Sequence, residues 1–248
     1  MLSNCQATEL FHLYFLSCLG TKVHKNLFQI KGGCNLRFFF RSIRYSEDLD
    51  LDVQVIAKET LRKNVNQILS SQSLRHLLSE KSIEIVGISE PRQTEITQRW
   101  KLRLKTRDGQ ELPTKIECSR RSVKDKEISL EPINNSIQQF YQLKPLLLPH
   151  YTLSTAFRQK IEALAGRAET QARDIFDLKL LLDAGAVVRK IHEMEKACEN
   201  AVNITFEMYR GQVVAFLEPE YQGFYGSVET WRSMQKSVVA ALKEGKIK

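Results

Sequence analysis

The chemistry of this chain starts from three aspartates at every second position, Asp48, Asp50 and Asp52 in "SEDLDLD". On a strand, residues i, i+2 and i+4 share a face, so three carboxylates crowd one side while Leu49, Leu51 and Val53 turn to the other. Like charges at that spacing repel when the sheet is half covered. An exposed polar strand face is the plain alternative. A divalent cation such as magnesium answers the repulsion, because it takes hard oxygen ligands and keeps positions open for phosphate oxygens. Two ions held in this way can activate a hydroxyl and stabilise a leaving pyrophosphate. A second feature, Gly32-Gly33, stands upstream, with fourteen residues between it and Asp48. A tight turn explains the pair alone. A strand before it and a helix start after it present free backbone N–H groups to an anion. Lys31, Arg37, Arg41 and Arg44 stand nearby as cationic candidates.

A metal pair bound to a strand is helped by a third acid on a neighbouring strand. Glu117 in "KIECS" and Glu84 in "SIEIV" have the same local pattern, and the residues alone leave both open. Downstream, Asp174 and Asp177 are three apart and share a helix face, as do Lys160 and Arg167 at a spacing of seven. An ordinary charged helix surface with an Arg173–Asp177 pair is the bland account. Against it, the stripe Phe157, Ile161 and Leu164 buries the helix. From the edge of that stripe Lys160 can reach toward a triphosphate, with Asp174 or Asp177 orienting it or accepting the proton of an acceptor hydroxyl.

The elements that must position these groups are readable in outline. "LFQI" reads as a short buried strand, Asn35–Arg41 as a short helix, and "LDLDV" as a half-buried strand. Ala57–Leu78 has no breaker and carries Leu61, Val65, Ile68 and Leu69 at helical spacing. "SIEIVGI", "RWKLRLKT" and "LPTKIECS" alternate as strands, with a hairpin turn at Asp108-Gly109. The polar stretch "SVKDKEISLEPINNS" reads as a linker. From Ser154 onward the pattern is helical, with stripes Phe157/Ile161/Leu164 and Ile175/Leu178/Leu182, broken around "EPEYQGFYG". The expected organisation is an α/β domain over residues 1–135 and a helical domain over 136–248, with the active site in the cleft between them.

Bulk composition is compatible with this. The 248 residues correspond to about 1.7 domains, and a chain of that length buries enough surface to fold without metal or disulfide. Lys+Arg 37 against Asp+Glu 29 leaves +8, which favours polyanionic partners. Five scattered cysteines without metal-ligand spacing argue for a reducing cytosol and against zinc. The apolar run "LFHLYFLSCL" is half the ~20 residues of a membrane span and reads as a buried helix.

These residues together carry a family resemblance. The paired glycines, fourteen residues and "DLD" resemble the signature of the DNA polymerase β-like nucleotidyltransferases. More narrowly, "FQIKGGCNL" with "RYSEDLDLDV" resembles the AbiEii toxin family, which includes the MenT tRNA-modifying toxins. "KIECS" stands where that family carries its third strand acid, which favours Glu117. "AFRQKIEALAGR" resembles its lysine motif and "ARDIFDLKLLL" its Arg-Asp-x-x-Asp motif. The resemblance implies an α+β protein, a polymerase β-like domain with a mixed sheet followed by a helical domain. It implies a cytoplasmic, magnesium-dependent enzyme that transfers a nucleotide from a nucleoside triphosphate to an RNA 3′ end, with tRNA the leading acceptor and a cognate antitoxin as partner. Asp48, Asp50 and Glu117 would hold metal, and Lys160, Asp174 and Asp177 would join them in catalysis. Lys31, Gly32, Gly33, Arg44, Ser46 and Lys160 would bind the nucleotide. One position departs from the pattern: the residue after the glycines is Cys34, where a hydroxyl residue is usual, and a thiol is a weaker donor to phosphate. The rival readings are a nucleotidyltransferase acting on a small molecule or protein, and an inactive nucleotide- or RNA-binding module.

Overall fold

In the computed structural model, residues 2–120, 126–187 and 191–245 are described. Contacts divide the chain into two units, Met1–Phe39 with Tyr45–Tyr151, and Phe40–Arg44 with Thr152–Lys248.

The first unit is built on a seven-stranded mixed sheet. Its elements are α1 (Asn4–Lys22), β1 (Phe28–Lys31), α2 (Gly32–Phe39), β2 (Leu49–Val53), α3 (Lys58–Leu69), α4 (Gln72–Ser79), β3 (Ile83–Gln93), β4 (Thr97–Thr106), β5 (Glu111–Ser119), β6 (Ile128–Pro132), α5 (Asn135–Tyr141) and β7 (Leu147–Tyr151). Strands lie in the order β3-β4-β5-β2-β1-β7-β6. β2 runs antiparallel to β1 and parallel to β5, so the aspartate strand sits inside the sheet with a partner on each side. Helix α1 starts with a capping box between Ser3 and Gln6. Its run from Ala7 to Leu16 is buried throughout, as a helix that is apolar all round must be. With α3 and α4 it packs over one face of the sheet, where Leu49, Leu51, Trp100, Leu102, Leu104 and Ile116 join the core. The opposite face is left to charged side chains.

Two expectations are corrected here. The stretch read as a linker contains β6, paired along its length with β7, and the start of α5; residues 122–125 of it lie outside the described residues. β6 is an edge strand whose residues are exposed or half-exposed: Ile128 and Leu130 alternate with Ser129 and Glu131, but the run is only five residues long and follows a polar stretch, so the alternation is too short to stand out. In consequence the sheet unit extends to Tyr151, beyond the expected boundary at 135. The single helix expected over Ala57–Leu78 is broken at Ser70 and Ser71. Ser71 caps α4 by accepting the Leu74 N–H, the competition with helix that serine side chains offer.

The second unit is helical: α6 (Leu153–Gly166), α7 (Ala172–Asp183), α8 (Met194–Val202), α9 (Phe206–Gln212), α10 (Pro219–Tyr225) and α11 (Val228–Glu244). Phe157, Ile161, Leu164, Ile175 and Leu178 are buried as expected, whereas Leu181 rather than Leu182 completes the α7 stripe. Tyr209 stacks on Trp231 at 4.6 Å between centroids. Residues 40–44 belong to this unit: Arg44 bridges Leu217, and the Glu218 N–H donates to the Ile43 carbonyl at 3.0 Å. Among the described residues no helix is long and apolar enough to cross a membrane.

Candidate active site

Strand register lines up the expected residues of the first unit. Lys31 on β1 faces Asp50 on β2, Asp50 faces Glu117 on β5, and Glu117 faces Arg99 on β4. Two adjacent carboxylates, Asp50 and Glu117, thus lie in one row across four strands with a cation at each end. Arg99 holds Glu117 through Nε at 2.7 Å and Nη2 at 2.5 Å. Lys115, two residues before Glu117 and on the same face, reaches Asp48 at 2.6 Å. Asp52 is buried, taking a hydrogen bond from Lys31 Nζ at 2.6 Å and from the Tyr151 hydroxyl at 2.7 Å. Glu84 lies on the edge strand β3 opposite Lys105, with β4 and β5 between it and β2.

Asp50 differs from its neighbours, since among the described residues its carboxylate makes no hydrogen bond or ion pair. Although the residue keeps some solvent contact, burial pushes its carboxyl above the usual carboxylate range. Lys31 and Lys115 pull it down and the charges of Asp48 and Glu117 push it up further. Its nearest neighbour of interest is Gly32, the first residue of α2. Gly32 has φ +65°, and a Cβ there would lie 3.0 Å from Asp50 Oδ2. Both facts call for glycine, one for the left-handed backbone and one for the carboxylate packed against it. The glycine pair and the aspartate strand, far apart in sequence, therefore form one constellation at the N-terminus of α2.

The remaining nearby residues hold that constellation in shape. Cys34 is buried, with Sγ 3.3 Å from the Asp48 carbonyl oxygen and 3.8 Å from His12 Nδ1. Burial raises its thiol well above the ordinary value, so it stays protonated and donates to the strand rather than to a ligand. The Ser46 hydroxyl donates to the same carbonyl at 2.8 Å. His12, whose ring is kept neutral by burial with a pKa of about 4, meets Thr114 Oγ1 at 2.9 Å.

Asp48, Asp50 and Glu117 are hard oxygen donors of the kind magnesium accepts, and the position of Asp50 beneath Gly32, without a cation of its own, fits such an ion. Lys115 and Arg99 engage the other two carboxylates. Among the described residues no three His, Cys, Asp or Glu side chains converge as a ready metal cage.

In the second unit, the expected lysine and aspartates form a buried ionic cluster. Lys160 Nζ lies 3.1 Å from Asp174 Oδ1 and 2.5 Å from Asp177 Oδ2. Arg44 clamps Asp177 through Nε at 3.2 Å and Nη2 at 3.0 Å, and Arg167 Nε lies 3.1 Å from Asp174 Oδ2. Both carboxylates are fully buried. Burial alone would raise Asp177, yet Arg44 and Lys160 outweigh it and hold this carboxyl below the ordinary range. Three cations against two carboxylates leave one positive charge in excess among these five groups.

Two of the arginines expected near the glycines have protein partners instead. Arg37 is buried, donates to Glu9 at 2.6 Å, and lies over the Tyr45 ring at 4.3 Å; Arg44 serves Asp177. Sequence reasoning missed Lys115, Arg99 and Tyr151. The alternation "KIE" carried a signal for Lys115, since it shares a strand face with Glu117.

Comparison with known proteins bears on the fold and the family. No curated protein sequence matches the chain. Among solved structures it is similar to MenT4, the nucleotidyltransferase toxin Rv2826c of Mycobacterium tuberculosis H37Rv, with 18% identity and a TM-score of 0.62 over 97% of this chain and 84% of that one. It is likewise similar to JHP933 from Helicobacter pylori, with 16% identity and a TM-score of 0.60 over 98% and 95% of the two chains. A putative nucleotidyltransferase from H. pylori matches at 15% identity and a TM-score of 0.60 over 100% of both. At these identities the likeness establishes the fold. The family described as nucleotidyl transferase AbiEii toxin, type IV toxin–antitoxin system, matches residues 14–237, which takes in the glycine pair, the aspartate strand, Glu117 and the ionic cluster. The chain therefore belongs to the AbiEii nucleotidyltransferase toxin family.

Proposed function

We propose that this nucleotidyltransferase toxin transfers a nucleotide from a nucleoside triphosphate to the 3′-hydroxyl of an RNA, with tRNA as the acceptor, magnesium as the cofactor and the cytoplasm as its place of action. The observation that carries this reading is Asp50, free of any ion pair among the described residues and seated under Gly32 in register with Glu117. Magnesium bound by Asp48, Asp50 and Glu117 would supply charge neutralisation on the phosphates and acidify the acceptor hydroxyl. The chain's own groups do the rest. Backbone N–H groups at Gly32 and Gly33, at the positive end of α2, cradle the triphosphate. Lys31 and Lys115 add charge beside it, and their present partners Asp52 and Asp48 keep them in place. Ser46 and Cys34 fix the Asp48 carbonyl and so the start of the catalytic strand. Lys160, oriented by Asp174 and Asp177, is assigned to the phosphates, and Arg44 to holding Asp177. The +8 net charge suits an RNA acceptor.

The test is incubation of the purified protein with total tRNA, magnesium and each labelled nucleoside triphosphate in turn. Label entering tRNA with release of pyrophosphate is the expected result. Label entering a protein or small molecule instead would replace the acceptor, and no pyrophosphate release under any condition would defeat the reading. A second expectation separates the two candidate acids. Glu117→Gln should reduce transfer far more than Glu84→Gln, because only Glu117 stands next to Asp50 in the sheet. Greater damage from Glu84→Gln in the same assay would move the site to the other edge of the sheet unit.

A further inference from the structure

The face of the sheet that carries the carboxylates continues away from them as a basic surface. Trp100, Leu102 and Leu104 of β4 turn into the core, so Arg99, Lys101, Arg103 and Lys105 all turn to the carboxylate side. The last three are exposed. A groove of about 520 Å³ crosses this face over β5, β4 and β3. Glu47 and Asp48 mark one end, and Lys115, Lys101, Arg103, Ser89 and Gly87 line its course.

Three features indicate an anionic occupant. Lys101 and Lys115 are direct cross-strand partners on one face, a like-charge pairing that is unfavourable without a counter-charge. Lys115 finds one in Asp48, whereas Lys101 has no ion pair among the described residues. Arg103 is laid flat over β3 by a glycine: a Cβ at Gly87 would lie 2.7 Å from Arg103 Nε and 3.0 Å from Nη2. Glu111 holds the same guanidinium from the other side, with Nη1 at 3.0 Å from its Oε2. The guanidinium is thus positioned along the groove wall, where a planar donor matches a phosphodiester oxygen pair. Finally, the groove ends at Asp48, beside the carboxylates that would receive an acceptor hydroxyl.

We propose that this groove binds the phosphodiester backbone of the RNA acceptor's terminal nucleotides and delivers its 3′ end to Asp48 and Asp50. The proposal rests on the reading of RNA as acceptor and names the surface that would hold it. Its charge pattern, evenly spaced cations with no row of base-reading side chains, suits backbone contact rather than sequence readout.

The experiment measures tRNA binding and steady-state transfer as a function of salt for wild type, Lys101→Ala/Arg103→Ala and Gly87→Ala. The double variant should raise the KM for tRNA about tenfold and flatten the salt dependence of log K by roughly 1.4, about 0.7 for each lost phosphate contact on single-stranded RNA. The KM for the nucleoside triphosphate should stay as in wild type, because the two residues lie away from the glycines. Gly87→Ala, which displaces the Arg103 guanidinium without changing net charge, should give a smaller rise in the same constant. All three positions are on or beside an exposed face, and thermal melts verify folding. If wild type transfers to tRNA while both variants keep its KM and salt slope, the groove assignment is overturned and the RNA function stands. If wild type neither binds nor modifies RNA, the function itself fails. Competition by polyglutamate equal to that by tRNA would assign the groove to an acidic protein and overturn the RNA assignment.

Discussion

Replacing Asp50 with asparagine should lower nucleotide transfer on the order of 10³ or more, the scale of removing one preorganised charged group from a transition state, while raising thermal stability in EDTA. The two effects have one cause. Asp50 is the site carboxylate without an ion pair among the described residues, and burial lifts its pKa above the ordinary value. A carboxyl raised in the folded state binds its proton more readily there than in the unfolded chain. Folding is then favoured at low pH, and stability falls as pH rises through the interval between the ordinary and the raised value. At neutral pH the wild type carries the full penalty of a charged Asp50, and the amide carries none. The melting temperature of Asp50→Asn should therefore exceed that of wild type near pH 7, and the gap should close as pH is lowered through that interval. Magnesium should raise the wild-type melting temperature and leave the variant unmoved. Growth arrest on expression in a bacterial host should vanish together with transfer. A variant that is no more stable at neutral pH, or that retains substantial activity, would remove Asp50 from the centre of the site.

Much of this site was legible because its signals are local. Period-two aspartates pointed to a strand with one acidic face, and β2 carries Asp50 and Asp52 on that face, although Asp48 lies just before the strand begins. The paired glycines lay where a strand meets a helix, although the helix begins on the glycines themselves rather than after them. What stayed hidden depends on partners distant in sequence. Arg37 looked available to a phosphate until Glu9, 28 residues away, was found to hold it. Arg44 is held by Asp177, 133 residues away. The choice of Glu117 over Glu84 needed the family resemblance, because both follow the same alternating local pattern and it is the pairing of β2 with β5 that separates them. The edge strand β6 was missed for a different reason: its alternation, Ile128 and Leu130 against Ser129 and Glu131, spans only five residues at the end of a polar stretch, and both apolar side chains stay largely exposed.

Lys160→Ala is expected to be the most destabilising of the site substitutions. The lysine is 8% exposed and lies between two carboxylates that are fully buried. Removing one partner of a buried pair costs about 3–5 kcal/mol, chiefly because the remaining charge is stranded. The lower end of that range applies, since Arg44 still holds Asp177 and Arg167 still approaches Asp174. At about 2–4 °C per kcal/mol for a chain of this size, the melting transition of the helical unit should fall by roughly 6–12 °C. Lys160→Arg should recover part of the stability, as it keeps the charge but not the compact ammonium that meets both aspartates at once. Activity must be read separately, by single-turnover transfer at a temperature below the melt of every variant. The surplus positive charge of the cluster is what would meet a phosphate, so a folded Lys160→Ala should transfer on the order of 10²–10³ more slowly, and its KM for the nucleoside triphosphate should rise. Lys160→Arg would then lie between. If instead folded Lys160→Ala transfers at the wild-type rate, the lysine only neutralises Asp174 and Asp177. The ionic cluster would then be a structural core of the helical unit, and the chemistry would belong to Asp48, Asp50, Glu117 and the glycines alone.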